Sequence, residues 1–218
     1  GLPIMHVTPA FANRMLAAGG LQDIKTLQDR IERTQAPASA PLEGVSARGR
    51  VEIEPVYSDV RNVVGMIPGT GPQKDEIIVL GAHYDHLGIR NKDKADFDPT
   101  KDISNGADDN ASGTAMLMQF AKAYTQGDAP NRTLVLVAFT GEELGLLGSA
   151  HFAKEPTVDL DKCIAMLNFD MVGRLKDDML EVGGMRTGGF EAIIDDLAQP
   201  YGFDIRDGGG GRGPSDHT

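Results

Sequence analysis

Four short segments of the sequence carry ionisable side chains of the kind that bind metal ions or transfer protons. They span residues 82–86, 106–113, 141–145 and 168–171. Three of them directly follow apolar runs with the length of buried strands, at 77–80, 134–139 and 164–167. Ligands of open α/β sheets bind just beyond the carboxyl ends of the strands. A histidine and several carboxylates meeting there would suit a divalent metal, so the pattern predicts metal-dependent hydrolysis.

The first segment places His83 at the end of an apolar run, with Asp85 two positions later. Residues i and i+2 of a strand point to the same side of the sheet, so Asp85 can accept a hydrogen bond from the imidazole. Such a carboxylate fixes the tautomer of a metal-binding histidine and raises its basicity. His86 points the other way on the same alternation, and we interpret it as structural.

The second segment has two adjacent acids, Asp108 and Asp109, between glycines and before a predicted helix. An acidic helix start, favoured by the helix dipole, would explain one acid but not both. The small residues that follow would let the backbone approach an ion closely. One carboxylate can bridge two cations, and we choose Asp109 for that role.

The third segment, with Glu142 and Glu143, carries the sharpest signal. Adjacent glutamates at the end of a buried strand repel one another unless a cation or a proton intervenes. Neighbouring side chains point in different directions, so one can bind metal while the other faces the attacking water. A general base must lie within hydrogen-bond reach of the proton that it takes. The alternative is a Glu-rich first turn of a helix.

The fourth segment contributes Asp170, the lone acid at the end of its apolar run. Burying an unpaired carboxylate is costly, so a metal ion is its natural partner. An ion pair with Arg174 is the alternative.

The composition limits the class of protein. The chain has 218 residues, 40% of them apolar and 24% charged, which fits one sizeable globular α/β domain. The net charge of -11 argues against nucleic acid as a partner, because phosphate binding needs a basic face. No apolar stretch approaches the roughly 20 residues of a membrane-spanning helix, and no segment has the pattern of a signal peptide. The single Cys163 excludes an intramolecular disulfide and is expected to be a buried small hydrophobe.

Spacing and turn residues predict the elements that position these segments. Residues 1–46 are expected to be an N-terminal segment and linker, with a short strand at 2–7, a helix begun by Thr8 and Pro9, and a second helix at 21–33. Alternation then predicts an antiparallel hairpin of strands 47–57 and 62–67. One further predicted strand ends at residue 83, and four more span 132–140, 162–170, 179–182 and 203–205. Helices are predicted at 110–124, 143–153 and 190–201. This order predicts an α/β fold, a three-layer α/β/α sandwich with a mixed, largely parallel central sheet.

The four motifs together resemble the co-catalytic zinc exopeptidases, the family that includes bacterial leucyl aminopeptidases, aminopeptidase Y and glutamate carboxypeptidase. The resemblance covers about residues 60 to 218 and implies that family's fold. It implies two zinc ions bridged by Asp109, the first also held by His83 and Asp170. The second zinc would be held by Glu143 and one further histidine.

The resemblance also assigns roles away from the metal ligands. It implies Glu142 as the general base and Asp85 as the acid that orients the first histidine. Residues 215–217 resemble a motif near the active-site cleft, so His217 is assigned to the substrate cleft rather than to a metal.

The sequence departs from the family pattern at one place. In the family the second zinc's histidine comes late, in a Tyr-His-x-x-x-Asp type segment, which the chain lacks. We therefore expect residues 47–218 to be a zinc peptidase catalytic domain that is incomplete at its C-terminus. Residues 1–7 resemble the end of a protease-associated domain.

These observations predict a zinc-dependent exopeptidase, an aminopeptidase that acts on peptide substrates at a secreted or periplasmic location. One alternative within the family is a glutaminyl-cyclase-like acyl transferase with a single zinc. The other is a non-catalytic binding module that keeps the fold, because the second zinc site is incomplete.

Overall fold

The structure is a computed structural model that describes residues 6–46, 48–50, 52–90 and 92–218. The chain divides into two compact units, Gly1–Tyr57 and Ser58–Thr218. The first unit contains helices α1 (Pro9–Ala18) and α2 (Ile24–Thr34), as predicted. The hydroxyl of Thr8 caps α1 by accepting a hydrogen bond from the backbone N–H of Phe11 at 3.3 Å. The strand predicted at 2–7 falls largely outside the described residues.

The described residues of the second unit form short strands and three α-helices. The strands are β1 (Val63–Ile67), β2 (Ile77–His83), β3 (Gly88–Ile89), β4 (Ile103–Ser104), β5 (Thr133–Phe139), β6 (Cys163–Asn168), β7 (Met179–Val182) and β8 (Asp204–Asp207). The helices are α3 (Gly113–Gln126), α4 (Leu147–Lys154) and α5 (Glu191–Ala198). No helix in the described part of the chain is long and apolar enough to cross a membrane.

The central sheet has the order β1-β5-β2-β6. Strand β2 pairs in parallel with both β5 and β6, and β1 runs antiparallel to β5. The hairpin predicted between 47–57 and 62–67 is wrong, since residues 48–50 and 52–57 form no strand. That segment leaves the side chains of Ile53, Val56 and Tyr57 exposed, so its alternation buries nothing. Strands β7 and β8 pair with each other in a separate two-stranded sheet.

The core lies on both faces of the central sheet. On one face Leu117 of α3 packs against Leu80, Ala82, Leu134 and Leu136. On the other face Phe152 of α4 packs in a cluster whose further members are Ile77, Val79, Val135, Val137 and Phe139. Strands buried on both faces read as continuous apolar runs, which is why the sequence showed no alternation there. The predicted α/β sandwich with a mixed sheet is confirmed.

The register of the central strands brings their carboxyl ends level. His83 at the end of β2 pairs with Phe139 at the end of β5, and Gly81 pairs with Asn168 at the end of β6. The pairing continues beyond β6, where the N–H of Phe169 donates to the Gly81 carbonyl at 2.8 Å. Asp170 therefore comes level with His83.

The start of α3 depends on a close backbone approach at Gly113. A Cβ at this position would lie 2.2 Å from the carbonyl oxygen of Phe169 and 2.5 Å from Oδ1 of Asn110. The Asn110 side chain holds the same junction, because it accepts from the Gly113 N–H at 2.9 Å and donates to the Phe169 carbonyl at 2.8 Å. A side chain at position 113 would thus push the loop after β6 away from α3.

We expect Gly113→Ala to destabilise the protein by about 1–3 kcal/mol, the usual cost of overpacking a rigid site. The midpoint of urea unfolding measures this change. The matched control is Gly65→Ala in β1, where a Cβ meets nothing within 4 Å. Equal midpoints for the two variants would contradict the prediction.

Candidate metal centre

His83 is the buried centre of the candidate site. It ends β2 and is 1% exposed. Its Nδ1 lies 3.0 Å from the backbone carbonyl of Asp85, which can only accept, so Nδ1 carries the proton and donates. Its own carbonyl accepts from the Thr114 hydroxyl at 3.0 Å. The neutral imidazole therefore presents a free Nε2 lone pair to the site.

Asp85 orients His83 through its backbone rather than through the carboxylate that the sequence pattern indicated. Its Oδ1 lies 3.8 Å from Nδ1 of His83, beyond hydrogen-bond distance. The same oxygen accepts from the backbone N–H of Glu142 at 3.2 Å. Asp85 thus ties the strand end that carries His83 to the turn that carries Glu142.

The first ligand group consists of His83, Asp109 and Asp170. Nε2 of His83 lies 3.3 Å from Oδ1 of Asp109 and 3.4 Å from Oδ1 of Asp170. Two ligands of one tetrahedral zinc ion, at bond lengths of about 2.0–2.2 Å, are separated by roughly 3.3–3.6 Å. The three side chains are therefore spaced as ligands of a common ion.

Asp170 is held by the C-terminal segment. The Ser215 hydroxyl donates to Oδ2 of Asp170 at 2.8 Å and accepts from the Asn168 amide at 2.8 Å. These contacts leave Oδ1 of Asp170 facing His83. Arg174, the alternative partner, lies against Asp108 instead, with its Nε 3.5 Å from Oδ2.

A second ligand group consists of His86, Asp109 and Glu143. Nδ1 of His86 lies 2.5 Å from Oε1 of Glu143 and 3.7 Å from Oδ2 of Asp109. The expectation that His86 points away from the site is wrong. Strand β2 ends at His83, so the two-residue alternation used for that expectation no longer holds at His86.

Of the two neighbouring aspartates, Asp109 faces the candidate site and Asp108 contacts the surrounding backbone. Oδ1 of Asp109 faces the first ligand group and Oδ2 faces the second. Oδ1 of Asp108 instead accepts from the backbone N–H of Gly173 at 2.9 Å. Both lie in the kinked turn Ala107–Ser112 directly before α3, in which the backbone of Asp109 is non-helical.

A turn, rather than the predicted helix start, carries the two glutamates. Gly141 has a φ of +67°, and Leu146 has a φ of 60°. These left-handed conformations interrupt any continuous helix, so α4 begins only at Leu147. The turn points the two glutamate side chains to different places. Glu143 belongs to the second ligand group. Glu142 belongs to neither group, and its Oε2 lies 3.9 Å from Nε2 of His83.

The electrostatics of the metal-free site favour a proton on His83. Burial alone would lower the pKa of this imidazole, but contact with Asp170, the hydrogen bond to the Asp85 carbonyl, and the charges of Asp170 and Glu142 outweigh it and raise the pKa to about 9. Burial raises the pKa of Glu142, and the charges of Asp216, Asp170 and Glu143 add to that effect against the opposing charge of His83. A raised pKa suits a carboxylate that must accept a proton near neutral pH.

Zinc binding should therefore release about one proton from His83 at pH 7, since a cation and a proton compete for the same lone pair. The apparent affinity should rise about tenfold per pH unit as the pH rises towards 9 and then level off. Calorimetry in two buffers with different ionisation enthalpies measures the released proton. An affinity that does not change between about pH 6 and 8 would contradict this expectation.

Asp216 is a site residue that sequence reasoning did not select. It is 5% exposed, and neither carboxylate oxygen has a hydrogen-bond partner among the described residues. Burial raises its pKa and outweighs the lowering effects of the nearby Ser149 hydroxyl and of the charge of His83, while the charges of Asp85 and Asp170 act in the same direction as burial. Its neighbour His217 is half-buried and belongs to neither ligand group. Contact with His83 lowers the pKa of Asp170 against the effect of burial, and the Ser215 hydroxyl and the charges of His83 and His217 add to that lowering.

Comparison with known proteins identifies the family. The sequence profile of Peptidase family M28 matches residues 62–218. The chain belongs to this family. A probable leucine aminopeptidase of Trichophyton verrucosum is 35% identical over 144 residues, which cover 63% of this chain and 35% of that relative. The chain thus spans about a third of the length of this relative.

Solved structures agree with the fold. A zinc aminopeptidase from Bacillus subtilis is 28% identical, with a TM-score of 0.51 over 72% of this chain and 36% of that one. A glutaminyl cyclase from Porphyromonas gingivalis is 23% identical, with a TM-score of 0.53 over 72% of this chain and 57% of that one. The second likeness concerns the fold alone.

Proposed function

We propose that this M28 chain is the metal-binding part of a zinc-dependent aminopeptidase. The observation that carries the proposal is the first ligand group, in which His83, Asp109 and Asp170 meet at tetrahedral spacing beside Glu142. The relatives support the same function, because they include a probable leucine aminopeptidase and a zinc aminopeptidase. Peptides are the corresponding substrate class.

The residues present fit a zinc ion. Nε2 of His83 and Oδ1 of Asp170 are buried and have no hydrogen-bond partner among the described residues. Buried polar atoms are normally paired, so two unpaired ligand atoms that face one point favour a bound cation. Imidazole and carboxylate are ligands that zinc accepts. We assign His83, Asp109 and Asp170 to the first zinc and Glu143 to a second one.

Bound zinc would supply a Lewis acid that polarises the scissile carbonyl and acidifies a water molecule. Glu142 would take a proton from the attacking water as the water oxygen bonds to the scissile carbonyl carbon, and would give that proton to the amine nitrogen as the C–N bond breaks. Asp85 holds Glu142 at its place, because its carboxylate accepts from the Glu142 backbone N–H. The Asp85 carbonyl keeps His83 in the tautomer that leaves Nε2 free, and the Thr114 hydroxyl holds the His83 backbone by donating to its carbonyl.

The proposal is tested by incubating the protein with aminoacyl anilides and with N-terminal glutaminyl peptides, each with and without zinc. We expect zinc-dependent release of the aniline and no cyclisation of the glutaminyl peptide. Cyclisation without hydrolysis would identify a glutaminyl-cyclase-like acyl transferase. Zinc binding without turnover of either substrate would identify a binding module.

A further inference from the structure

The turn that carries Glu142 and Glu143 has a backbone shape of its own. In this glutamate turn (residues 141–147), the N–H groups of Gly145 and Leu146 both donate to the carbonyl of Glu142 at 2.9 Å. Such internal hydrogen bonds set the conformation of the turn, but they do not set its place relative to the other strands. Contacts with other elements are needed to keep the Glu142 side chain beside the first ligand group.

Asn62 joins the two ends of the glutamate turn. Its Oδ1 accepts from the backbone N–H of Thr140 at 3.1 Å, and its Nδ2 donates to the backbone carbonyl of Gly148 at 2.8 Å. Thr140 directly precedes the turn, and Gly148 directly follows it. A single amide side chain therefore fixes the distance between the points where the backbone enters and leaves the turn.

The backbone is closely packed at the same place. A Cβ on Gly148 would lie 2.3 Å from the carbonyl oxygen of Thr140 and 2.4 Å from Oδ1 of Asn62. Thr140 is 7% exposed, and Gly148 is buried. Groups packed at this density cannot shift without moving their neighbours, so the two hydrogen bonds of Asn62 are held in one geometry.

The strand pairing explains how Asn62 reaches this place. It directly precedes β1, whose first residue, Val63, pairs with Ala138 in the antiparallel register of β1 and β5. Continuing that register places Asn62 opposite Phe139, the last residue of β5, so its side chain reaches the backbone just beyond the strand. An asparagine suits the position because its amide group offers a donor and an acceptor together.

We propose that Asn62 is a positioning residue that holds the glutamate turn, and with it Glu142, beside the first ligand group. The inference rests on the proposed function, in which Glu142 is the general base. Glu142 belongs to neither ligand group, so a metal ion would not hold its carboxylate, and its place depends on the backbone that carries it. Asp85 contacts that backbone at Glu142 itself, whereas Asn62 holds the two ends of the turn.

The first test measures the hydrolysis of an aminoacyl anilide by Asn62→Ala at saturating zinc. We expect kcat to fall by about 10–100-fold with KM almost unchanged, because a misplacement of about 1 Å is enough to cost that much in rate. The control is Leu134→Ala, which truncates a buried side chain near the start of β5, at the other end of the strand from the turn. It should lower the midpoint of urea unfolding and leave kcat unchanged. Equal kcat values for the two variants would overturn the proposal.

Combining Asn62→Ala with Glu142→Gln separates positioning from a general loss of structure. If Asn62 acts through the Glu142 carboxylate, the double variant should have the kcat of Glu142→Gln alone, since no base is left to misplace. Circular dichroism verifies that each variant is folded. A further loss of kcat in the double variant, as large as the loss that Asn62→Ala causes in the wild-type background, would overturn the proposal.

Hydrogen exchange gives a measurement that does not depend on turnover. In Asn62→Asp the carboxylate can still accept from Thr140 but cannot donate to Gly148, so the amides of the glutamate turn should exchange faster while those of β2 keep their wild-type rates. Unchanged exchange in the turn would overturn the proposal. Faster exchange in the turn, in a protein that hydrolyses no anilide, would support the positioning by Asn62 and overturn the proposed function.

Discussion

Glu142→Gln is expected to lower kcat by about 10²–10⁴-fold while the zinc content stays unchanged, because the substitution removes the proposed general base and not a proposed ligand. The carboxylate stands 3.9 Å from Nε2 of His83 but belongs to neither ligand group. Glutamine has the same shape and keeps the backbone N–H that donates to Asp85. Only the capacity to accept the proton is lost.

The neighbouring residue provides the contrast for this experiment. Glu143→Gln should instead weaken metal binding, since Glu143 lies in the second ligand group. Steady-state kinetics and zinc analysis on the same samples separate the two effects. Unchanged turnover by Glu142→Gln, or an equal loss of zinc from both variants, would show that the division of roles between the two glutamates is wrong.

Asp109→Asn is expected to weaken the binding of both proposed ions by more than about 100-fold, because losing an outer-shell contact alone already costs up to about that much. The reason is that each of its oxygens faces a different ligand group. The variant removes the negative charge shared by the two groups and places an NH₂ group against one of them. Titration with zinc measures the loss at each site.

Asp108→Asn is the matched control for that change. The side chain of Asp108 lies in the same turn but contacts the backbone of Gly173 and the guanidinium of Arg174. Asparagine can still accept the hydrogen bond from Gly173, so zinc affinity should stay close to that of the wild type. A loss of zinc affinity as large as that of Asp109→Asn would show that zinc binding depends on the negative charge of the turn and not on bridging by Asp109.

Much of the candidate site was predictable because parallel strands end at one edge of a sheet. His83, Asp109, Glu142, Glu143 and Asp170 were selected from that rule and from a family resemblance, and the structure brings them together within a few ångströms. Apolar runs located the strands well, since burial on both faces leaves a strong sequence signal.

The site features that the sequence did not predict lie where strand alternation and helix periodicity no longer apply. His86 follows the last residue of β2, where the alternation of a strand no longer applies. Ser215 reaches Asp170 across 45 positions of sequence, and no periodicity encodes such a contact. The turn after Gly141 depends on positive φ values, one of them at a leucine, which propensity does not predict.

The level strand ends have a consequence for folding. In a sheet, slipping one strand by a single residue turns all its side chains to the opposite face. A slip of β6 against β2 would carry Asp170 away from His83 and dismantle the first ligand group, although the apolar runs could still be buried on either face. A cation that binds only the correct pairing stabilises that pairing over every slipped one by mass action. Bound zinc would then favour the correct register of β6 against β2 in addition to its proposed catalytic role.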